Sequence, residues 1–324
     1  MLVGHDGQVA TLRQAVDSGR LHHAWLLTGP EGVGKASFAI AAATRLLADA
    51  AGPPIHGEGI ETPENHPIAH YIRAGSHPDL RILERLAKDK RDDLARSITI
   101  EQVRSLQGLF ATTASLSARR IVIIDSIDDL ERSAANALLK NLEEPPAGTL
   151  FFLVSHVPGR LLPTIRSRCR LLRFGRLSEE QMRRLLRRHL PDQPAAEIEA
   201  LIIAGDGSPG RALSFAGLDI AALDEAIERL IDQGDPTNAI RSTLARQLGT
   251  RTAQARYEAY LDRVPARIAA EARRREGAAL ASAVALWEQA RRIGESAVRL
   301  SLDQATTTFE LATLLTRLAP SAAP

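Results

Sequence analysis

The feature that most constrains the fold of this chain is a glycine-rich heptapeptide between an apolar run and a helical pattern. Residues 29–35 read GPEGVGK, after the apolar run 24–28 (AWLLT) and before the helical pattern 35–47. Glycines in this spacing let backbone N–H groups surround a phosphate chain, the amino end of the helix adds positive potential, and Lys35 can reach the outer phosphates. The sequence therefore predicts a strand, a phosphate loop and a helix in direct succession.

The first half of the chain alternates short apolar runs with helical patterns, which indicates a parallel sheet with crossover helices. Residues 51–79 are rich in Gly, Pro and His without apolar periodicity, and they are predicted to form a long surface insertion. The fold class is therefore α/β with a five-stranded parallel sheet. The predicted strands are 24–28, 97–100, 121–125, 151–155 and 171–174, and the predicted helices are 35–47, 101–112, 133–143 and 163–168.

After residue 174 the strand signals stop and only helical patterns follow. Short helices are predicted at 178–189, 195–204 and 209–216, and longer ones from residue 218 to about Arg317, with breaks at 234–236 and 249–250. For 324 residues we predict three domains. They are an α/β domain (1–175), a small helical domain (176–217) and an all-helical domain (218–324).

Composition excludes several classes of protein. Basic and acidic residues number 41 and 39, so there is no strong polyelectrolyte signal towards nucleic acids or membranes. The single cysteine, Cys169, excludes an intrachain disulfide and a cysteine-rich zinc module, and it fits a reducing compartment. The sequence has no signal-peptide pattern at residues 1–14 and no run of about 18 apolar residues. We therefore expect a cytoplasmic protein.

Two groups that ATP hydrolysis needs are missing around the phosphate loop. Asp125 ends the apolar run 121–125 and stands where nucleoside triphosphatases place an indirect magnesium ligand. However, Ala36 replaces the Ser or Thr that supplies a hydroxyl to Mg²⁺, and Ser126 stands where a Glu would polarise the attacking water. We expect no significant ATP hydrolysis by this chain. Whether the loop holds phosphate weakly or is a relic stays open.

Other charged residues near these motifs have simpler interpretations. Asp128 and Asp129 are predicted to cap a helix start. His22 and His23, which precede the first strand, are interpreted as packing residues rather than as a site for a nucleotide base. The arginine clusters 273–275 and 291–292 are interpreted as solvated helix faces.

Three ordered stretches of the sequence carry a resemblance to a known family. They are RLHHAWLLTGPEGVGK (20–35), ARRIVIIDSIDDLERSAANALLKNLEEPP (118–146) and FFLVSHVPGRLLPTIRSRCRLLRF (151–174). The chain resembles the delta-prime family of clamp-loader subunits of bacterial DNA polymerase III, within the AAA+ proteins. The resemblance covers residues 1–215. It implies an AAA+ parallel five-stranded sheet domain, a small helical lid domain and a C-terminal helical collar domain.

The resemblance also implies roles for individual residues. It identifies Arg168, in Ser167-Arg168-Cys169, as an arginine finger that acts in trans on ATP bound to a neighbouring subunit, and it places a sensor at Ser155 or His156. A degraded ATP site would comprise Gly29, Gly32, Gly34, Lys35 and Asp125, with Arg211 as a second sensor. The tripeptide alone also fits a surface arginine beside a buried cysteine. Arg211 also fits a solvated arginine.

No metal site and no required cofactor are predicted, and weak ATP or ADP binding is left open. The family commonly has a cysteine-ligated zinc module in its first domain, whereas residues 51–79 contain no cysteine. Four histidines do lie there, at His56, His66, His70 and His77. His66 and His70 could share a helix face, but Pro67 argues against an ordered helix, so zinc is not predicted.

The resemblance implies partners as well. They are the gamma/tau and delta subunits of a clamp loader and, through that complex, the sliding clamp and primed DNA. Two rival functions are an active AAA+ ATPase of the gamma/tau type and a nucleotide-binding adaptor outside replication. The first would need magnesium bound without an oxygen from Ala36 and water activated without a Glu at position 126.

Overall fold

The computed structural model describes residues 2–52, 55, 57, 59–86, 95–111 and 113–320. These residues form two compact units. The first contains the described residues up to Met182 together with Gly207–Gly210, and the second contains Arg183–Asp206 and the described residues from Arg211 onward. The three-domain division at residues 175 and 217 stays a prediction.

The first unit is built on a five-stranded parallel sheet, which confirms the predicted α/β class. The strand order is β2-β3-β4-β1-β5. The inner strands β1, β3 and β4 are almost entirely buried, whereas the edge strands β2 and β5 have buried and exposed positions. The strands are β1 (Ala24–Thr28), β2 (Leu80–Glu84), β3 (Arg120–Asp125), β4 (Thr149–Ser155) and β5 (Arg170–Arg173).

Helices cover both faces of this sheet, so successive residues of an inner strand enter different cores. Trp25 and Leu27 of β1 pack in the core that includes Phe38, while Leu26 packs in the core that includes Leu138. The helices of the first unit are α1 (Asp6–Asp17), α2 (Lys35–Ala51), α3 (Pro67–Arg73), α4 (Ile100–Ala111), α5 (Arg132–Glu143) and α6 (Pro163–Arg166).

The predicted strand at residues 97–100 is wrong, and the true second strand is β2. Ile98 makes only an isolated bridge with Leu130. Thr99 instead begins α4 through a reciprocal cap, in which the Thr99 amide donates to Gln102 Oε1 (3.0 Å) and the Gln102 amide donates to Thr99 Oγ1 (3.4 Å). A β-branched residue in an apolar run can thus serve as a helix cap. Periodicity alone does not distinguish a strand from the start of a helix.

The predicted insertion at residues 51–79 is partly helical and partly buried. Helix α3 lies inside it, with Pro67 in its first turn, and the His66 ring accepts a hydrogen bond from the Ile68 amide (3.2 Å). Ile60 and Ile68 belong to the core that includes α2. The expectation that Pro67 argues against an ordered helix is wrong because proline is favoured in the first helical turn, where its missing N–H is not needed.

The Arg45 side chain of α2 organises the start of this insertion. It is buried, and its five N–H donors all reach oxygen atoms. Nε donates to both carboxylate oxygens of Asp49 (3.0 and 2.9 Å), Nη1 donates to the carbonyls of Gly59 and Glu61 (3.2 and 3.1 Å), and Nη2 donates to those of Ile55 and Gly57. A single guanidinium thereby satisfies four loop carbonyls that the fold removes from water.

The rest of the chain is helical, as predicted. The break at Gly234–Pro236 separates two helices, and Asp235 accepts hydrogen bonds from the amides of Ile240 and Arg241. The second break needs a glycine, since a Cβ at Gly249 would lie 2.7 Å from the Ala245 carbonyl oxygen. The helices are α7 (Glu179–His189), α8 (Ala195–Gly205), α9 (Pro209–Ser214), α10 (Ile220–Gln233), α11 (Ala239–Leu248), α12 (Gln254–Ala272), α13 (Gly277–Leu300) and α14 (Gln304–Thr316).

The second unit has its own apolar core. Ile227 of α10, Tyr260 of α12 and Leu311 of α14 are fully buried. An ion pair between the buried Arg263 and the partly buried Asp224 also joins α12 to α10. In the part of the chain that the structure describes, no helix is both long enough and apolar enough to cross a membrane.

Replacing Arg45 with Met should destabilise the first unit by about 3 kcal/mol, because four loop carbonyls lose the guanidinium that donates to them and Asp49 keeps only the Ile55 amide and the more distant Arg13. Thermal unfolding followed by circular dichroism measures this. The Arg45→Lys variant has three donors instead of five, so its unfolding temperature should lie between those of the unchanged protein and of Arg45→Met. The matched control is Arg81→Met on the exposed side of β2. Equal unfolding temperatures for the Arg45 and Arg81 variants would contradict the role given to Arg45.

Candidate functional site

The glycine-rich loop has the backbone conformation that its sequence predicts. It joins β1 to α2, and Gly34 is the N-cap of α2 with φ of 102°. Gly32 has φ of 73°, a region that side chains disfavour. At Gly29, a Cβ would lie 2.2 Å from the Phe174 carbonyl oxygen. These glycines are therefore required by the backbone geometry.

Every carbonyl from residue 29 to residue 33 accepts a hydrogen bond from a group in the first unit. The donors are Lys35 Nζ for Gly29 and Pro30 (2.7 and 2.5 Å), Ser208 Oγ for Glu31 (2.8 Å), the Gly210 amide for Gly32 (2.8 Å) and His5 Nε2 for Val33 (2.7 Å). Because five successive carbonyls are held in this way, the loop has a defined shape that needs no ligand to complete its carbonyl hydrogen bonds.

The Lys35 ammonium donates hydrogen bonds to carbonyls of its own loop. The side chain is only 2% exposed, and two of its three N–H donors bond the carbonyls of Gly29 and Pro30. Burial lowers the pKa of Lys35 to about 8, and the negative charges of Asp125, Asp128 and Glu31 oppose that shift. A phosphate that entered the loop would have to compete for this ammonium with the loop's own oxygens.

The second acidic motif lies at the end of β3. Burial raises the pKa of Asp125, while the nearby charges of His156 and Lys35 lower it. Ser126 is buried, and its Oγ accepts a hydrogen bond from the Asp128 amide (3.1 Å) and donates one to Asp128 Oδ2 (3.0 Å). The Ser126 hydroxyl, at the position where a Glu would activate water, therefore stabilises the turn after β3 through its hydrogen bonds with Asp128.

The expectation that Asp128 caps a helix start is wrong, because Ser126 is the N-cap of the short 3-10 helix at Ile127–Asp129. The Asp128 side chain instead joins the turn after β3 to the end of β4. Its Oδ1 accepts from Ser155 Oγ (2.9 Å), and its Oδ2 accepts from the amides of His156 (2.5 Å) and Val157 (3.3 Å) and from Ser126 Oγ. The fully buried hydroxyl at the predicted sensor position Ser155 is thus bound within the chain. Sequence analysis missed this role because it requires residues 27 to 29 positions apart to meet.

His22 and His23 lie at the amino end of β1, whereas the phosphate loop follows its carboxyl end. Their rings stack with centroids 4.4 Å apart, and the His23 ring bonds the Leu142 carbonyl oxygen (3.1 Å). Burial lowers the pKa of His23. These contacts support the interpretation of the pair as packing residues.

Arg168 lies between α6 and β5 with its side chain 33% exposed. Its Nη2 is 2.7 Å from Glu143 Oε1 at the end of α5. Its Nη1 donates to the Thr164 carbonyl oxygen (2.8 Å) and lies 3.4 Å from Ser167 Oγ. The neighbouring Cys169 packs against the core that includes Leu138, and burial raises the pKa of its thiol to about 12.

Arg211 belongs to the second unit. Its Nη2 donates to Asp262 Oδ2 (2.6 Å), and its guanidinium lies 5.9 Å from the centre of the Phe215 ring. The residue before it, Gly210, belongs to the first unit and contacts the phosphate loop, since a Cβ there would lie 2.9 Å from Gly32 Cα. The role of Arg211 as a second sensor stays a prediction.

Three of the four histidines of residues 51–79, namely His66, His70 and His77, lie in the part of the chain that the structure describes. Within the described ranges, no three His, Cys, Asp or Glu side chains are grouped so that they could hold a metal ion. His56 lies outside those ranges.

Of the arginine clusters, Arg291 pairs with Glu295 of its own helix, which fits a solvated helix face. Residues 273–275 follow the end of α12, where Arg274 pairs with Glu271 and Arg275 donates to the Leu318 carbonyl oxygen, so their interpretation as a helix face is wrong.

Comparisons with known proteins identify relatives of the chain. The family model described as "DNA polymerase III, delta subunit" matches residues 4–178. The chain is 36% identical over 215 residues to DNA polymerase III subunit delta' of Pseudomonas aeruginosa, a match that covers 65% of this chain and 62% of that protein. It is 34% identical over 207 residues to subunit delta' of Bacillus subtilis, covering 64% of this chain and 54% of that protein.

The chain is also similar to another subunit type. It is 33% identical over 232 residues to DNA polymerase III subunit tau of Salmonella typhimurium, and that match covers 69% of this chain and 33% of the tau subunit. The chain spans less than two thirds of the length of each of these three relatives.

Replacing Asp128 with Ala should destabilise the first unit by about 2–3 kcal/mol, because two hydroxyls and two amides lose a charged acceptor. Urea unfolding measures this. Asp129→Ala is the matched control, since Asp129 makes a partly exposed pair with Arg85 (3.2 Å) worth about 0–1 kcal/mol. If the two variants unfold at the same urea concentration, the carboxylate of Asp128 does not hold the two loops together.

The thiol of Cys169 should react with a chromogenic disulfide reagent at pH 8 roughly a hundredfold more slowly than a free cysteine. With its pKa raised to about 12, little thiolate is present at that pH. Unfolding in urea should restore the ordinary rate. As Cys169 is the only cysteine, the released chromophore reports this residue alone. A fast stoichiometric reaction of the native protein would contradict the prediction.

Proposed function

This chain belongs to the family described as DNA polymerase III, delta subunit, and on that premise we propose that it is the delta-prime subunit of a clamp loader, a non-hydrolysing AAA+ subunit. In such a complex it would help to load the sliding clamp on primed DNA during replication. It would also supply Arg168 to ATP bound by a neighbouring subunit. The delta' subunits of two bacteria, to which the chain is 36% and 34% identical, support this assignment.

The observation that carries the proposal is the internal bonding of the nucleotide loop and its surroundings. Lys35 bonds the loop's own carbonyls, Ser126 bonds Asp128, and Ala36 has no oxygen to offer to magnesium. Hydrolysis in this loop would need a bound metal and an activated water, and the residues at those two positions supply neither. ATP or ADP would bind weakly, and no zinc or other cofactor would be required.

Arg168 supports the second half of the proposal. A guanidinium always carries a positive charge and can bond phosphate oxygens with two N–H groups at once, so it stabilises charge that develops on a transferred phosphoryl group. Arg168 is partly exposed, and its Nε takes no part in the bonds to Glu143, Thr164 and Ser167. A phosphate from another chain could therefore be bound without disrupting these contacts.

The partners follow from the same assignment. They would be the gamma/tau and delta subunits and, through the complex, the sliding clamp and primed DNA, all in the cytoplasm. Residues 218–324 would form the helical collar that holds the subunits together, and residues 176–217 the lid. Arg211 would occupy the position that the family uses for its second sensor.

An active ATPase of the gamma/tau type is the main alternative, and the 33% identity to a tau subunit favours it. It would need a magnesium ligand other than residue 36 and a base other than residue 126. An adaptor outside replication is the other alternative, and it would not co-purify with gamma/tau.

The decisive measurement is ATP turnover. The protein alone should show no turnover, whereas adding it to purified gamma/tau plus delta should stimulate turnover. Arg168→Ala should abolish that increment, because trans-acting arginines contribute about 10³–10⁵-fold at the site they complete. Arg166→Ala, an exposed arginine of α6, is the matched control and should leave the stimulation intact.

Each opposite outcome has a distinct meaning. Robust turnover by the protein alone would support the gamma/tau-type ATPase. Full stimulation by the Arg168 variant would remove the arginine finger from the proposal. Failure to co-elute with gamma/tau and delta would support the adaptor.

A further inference from the structure

Arg168 is held by two different helices of the first unit. The Thr164 carbonyl, in α6, fixes Nη1, and the Glu143 carboxylate, at the last residue of α5, fixes Nη2 from another part of the chain. The first contact is local, because Thr164 and Arg168 are only four residues apart. The second joins residues 25 positions apart and depends on where α5 ends.

The backbone that carries the Glu143 side chain is fixed by buried neighbours. The two preceding residues, Asn141 and Leu142, are buried, and the Leu142 carbonyl accepts a hydrogen bond from the His23 ring. Helix α5 thus ends at a defined point against the sheet. Its final carboxylate is 49% exposed and reaches Arg168 at the surface.

The number of donors on the guanidinium determines what these contacts can do. An arginine has five N–H groups, and the contacts with Glu143, Thr164 and Ser167 involve only Nη1 and Nη2. Nε and at least one N–H of Nη2 therefore stay available for a phosphate oxygen. The carboxylate restrains the direction of the side chain without using up its donors.

We propose that Glu143 is a positioning residue for Arg168. It holds the guanidinium in one orientation on the surface, so that the available N–H groups meet a phosphate of ATP bound to a neighbouring subunit. The inference rests on the proposed function of Arg168 and adds a second residue to it. An arginine has several rotatable bonds, and fixing them before the neighbour arrives lowers the entropy cost of reaching the transition state.

The pair is suited to this role because it contributes little to folding. Both side chains are partly exposed, and ion pairs of this kind contribute little to stability. A variant of Glu143 should therefore fold normally and assemble with its partners. Its effect should appear in the rate of the step that Arg168 assists.

The test uses the full chain in a complex with gamma/tau and delta, and measures kcat and KM for ATP together with co-elution of the subunits. Glu143→Ala should lower the stimulated kcat by about threefold to fivefold and leave KM and assembly unchanged. Glu143→Gln keeps an oxygen that can accept from Nη2, so it should restore most of the rate. Glu144→Ala removes the adjacent exposed carboxylate and should have no effect.

A double-mutant cycle separates this inference from the function on which it rests. When Arg168 is already Ala, Glu143→Ala should cause no further loss of kcat. If Arg168→Ala itself leaves the stimulation intact, the proposed function fails. If Arg168→Ala abolishes it but Glu143→Ala leaves kcat unchanged, raises it, or lowers it equally in both backgrounds, only the positioning role of Glu143 is overturned.

Discussion

Parallel strands end at the same edge of a sheet, and that constraint assembles the candidate site of this chain. Thr28 at the end of β1 is in register with Ser155 at the end of β4, and Asp125 at the end of β3 is in register with Val154. The phosphate loop and the turns after β3 and β4 therefore meet at one place. The burial of the three inner strands fixes that place, because the apolar side chains of β1, β3 and β4 enter cores on both faces of the sheet.

The groups at this edge are bonded mainly to one another. Burial disfavours the charged form of Lys35, as its pKa of about 8 indicates, and two loop carbonyls and the nearby carboxylates offset part of that cost. Asp128 likewise receives two hydroxyls and two amides from the chain itself. The geometry of a phosphate-binding loop is thus stabilised by protein contacts, and its order does not depend on a bound nucleotide.

The sequence predicts those elements that have a local pattern, such as a continuous apolar run, and not the contacts between distant residues. The inner strands are continuous apolar runs, so β1, β3 and β4 were found within two residues of their observed ends. Strand β2 was missed because an edge strand needs no such run, and its sequence LRILE includes charged residues on the exposed positions. The sequence argument against helix α3 treats Pro67 as a helix breaker, whereas Pro67 lies in the first turn of that helix. The Asp128 and Glu143 contacts join distant positions, and no local pattern encodes them.

The loop and Arg168 are held by different residues of the first unit, so the residue types at positions 36 and 126 leave the described contacts of Arg168 in place. The contacts described for Arg168 come from α5 and α6, and those of the loop come from His5, Lys35, Ser208 and Gly210. Ala36 has no hydroxyl to offer to magnesium, and the side-chain hydrogen bonds of Ser126 are made with Asp128 rather than with the anchors of Arg168. On the proposed function, a subunit that does not hydrolyse ATP would therefore still present an oriented arginine, because the described hydrogen bonds of the loop and of Arg168 involve different residues.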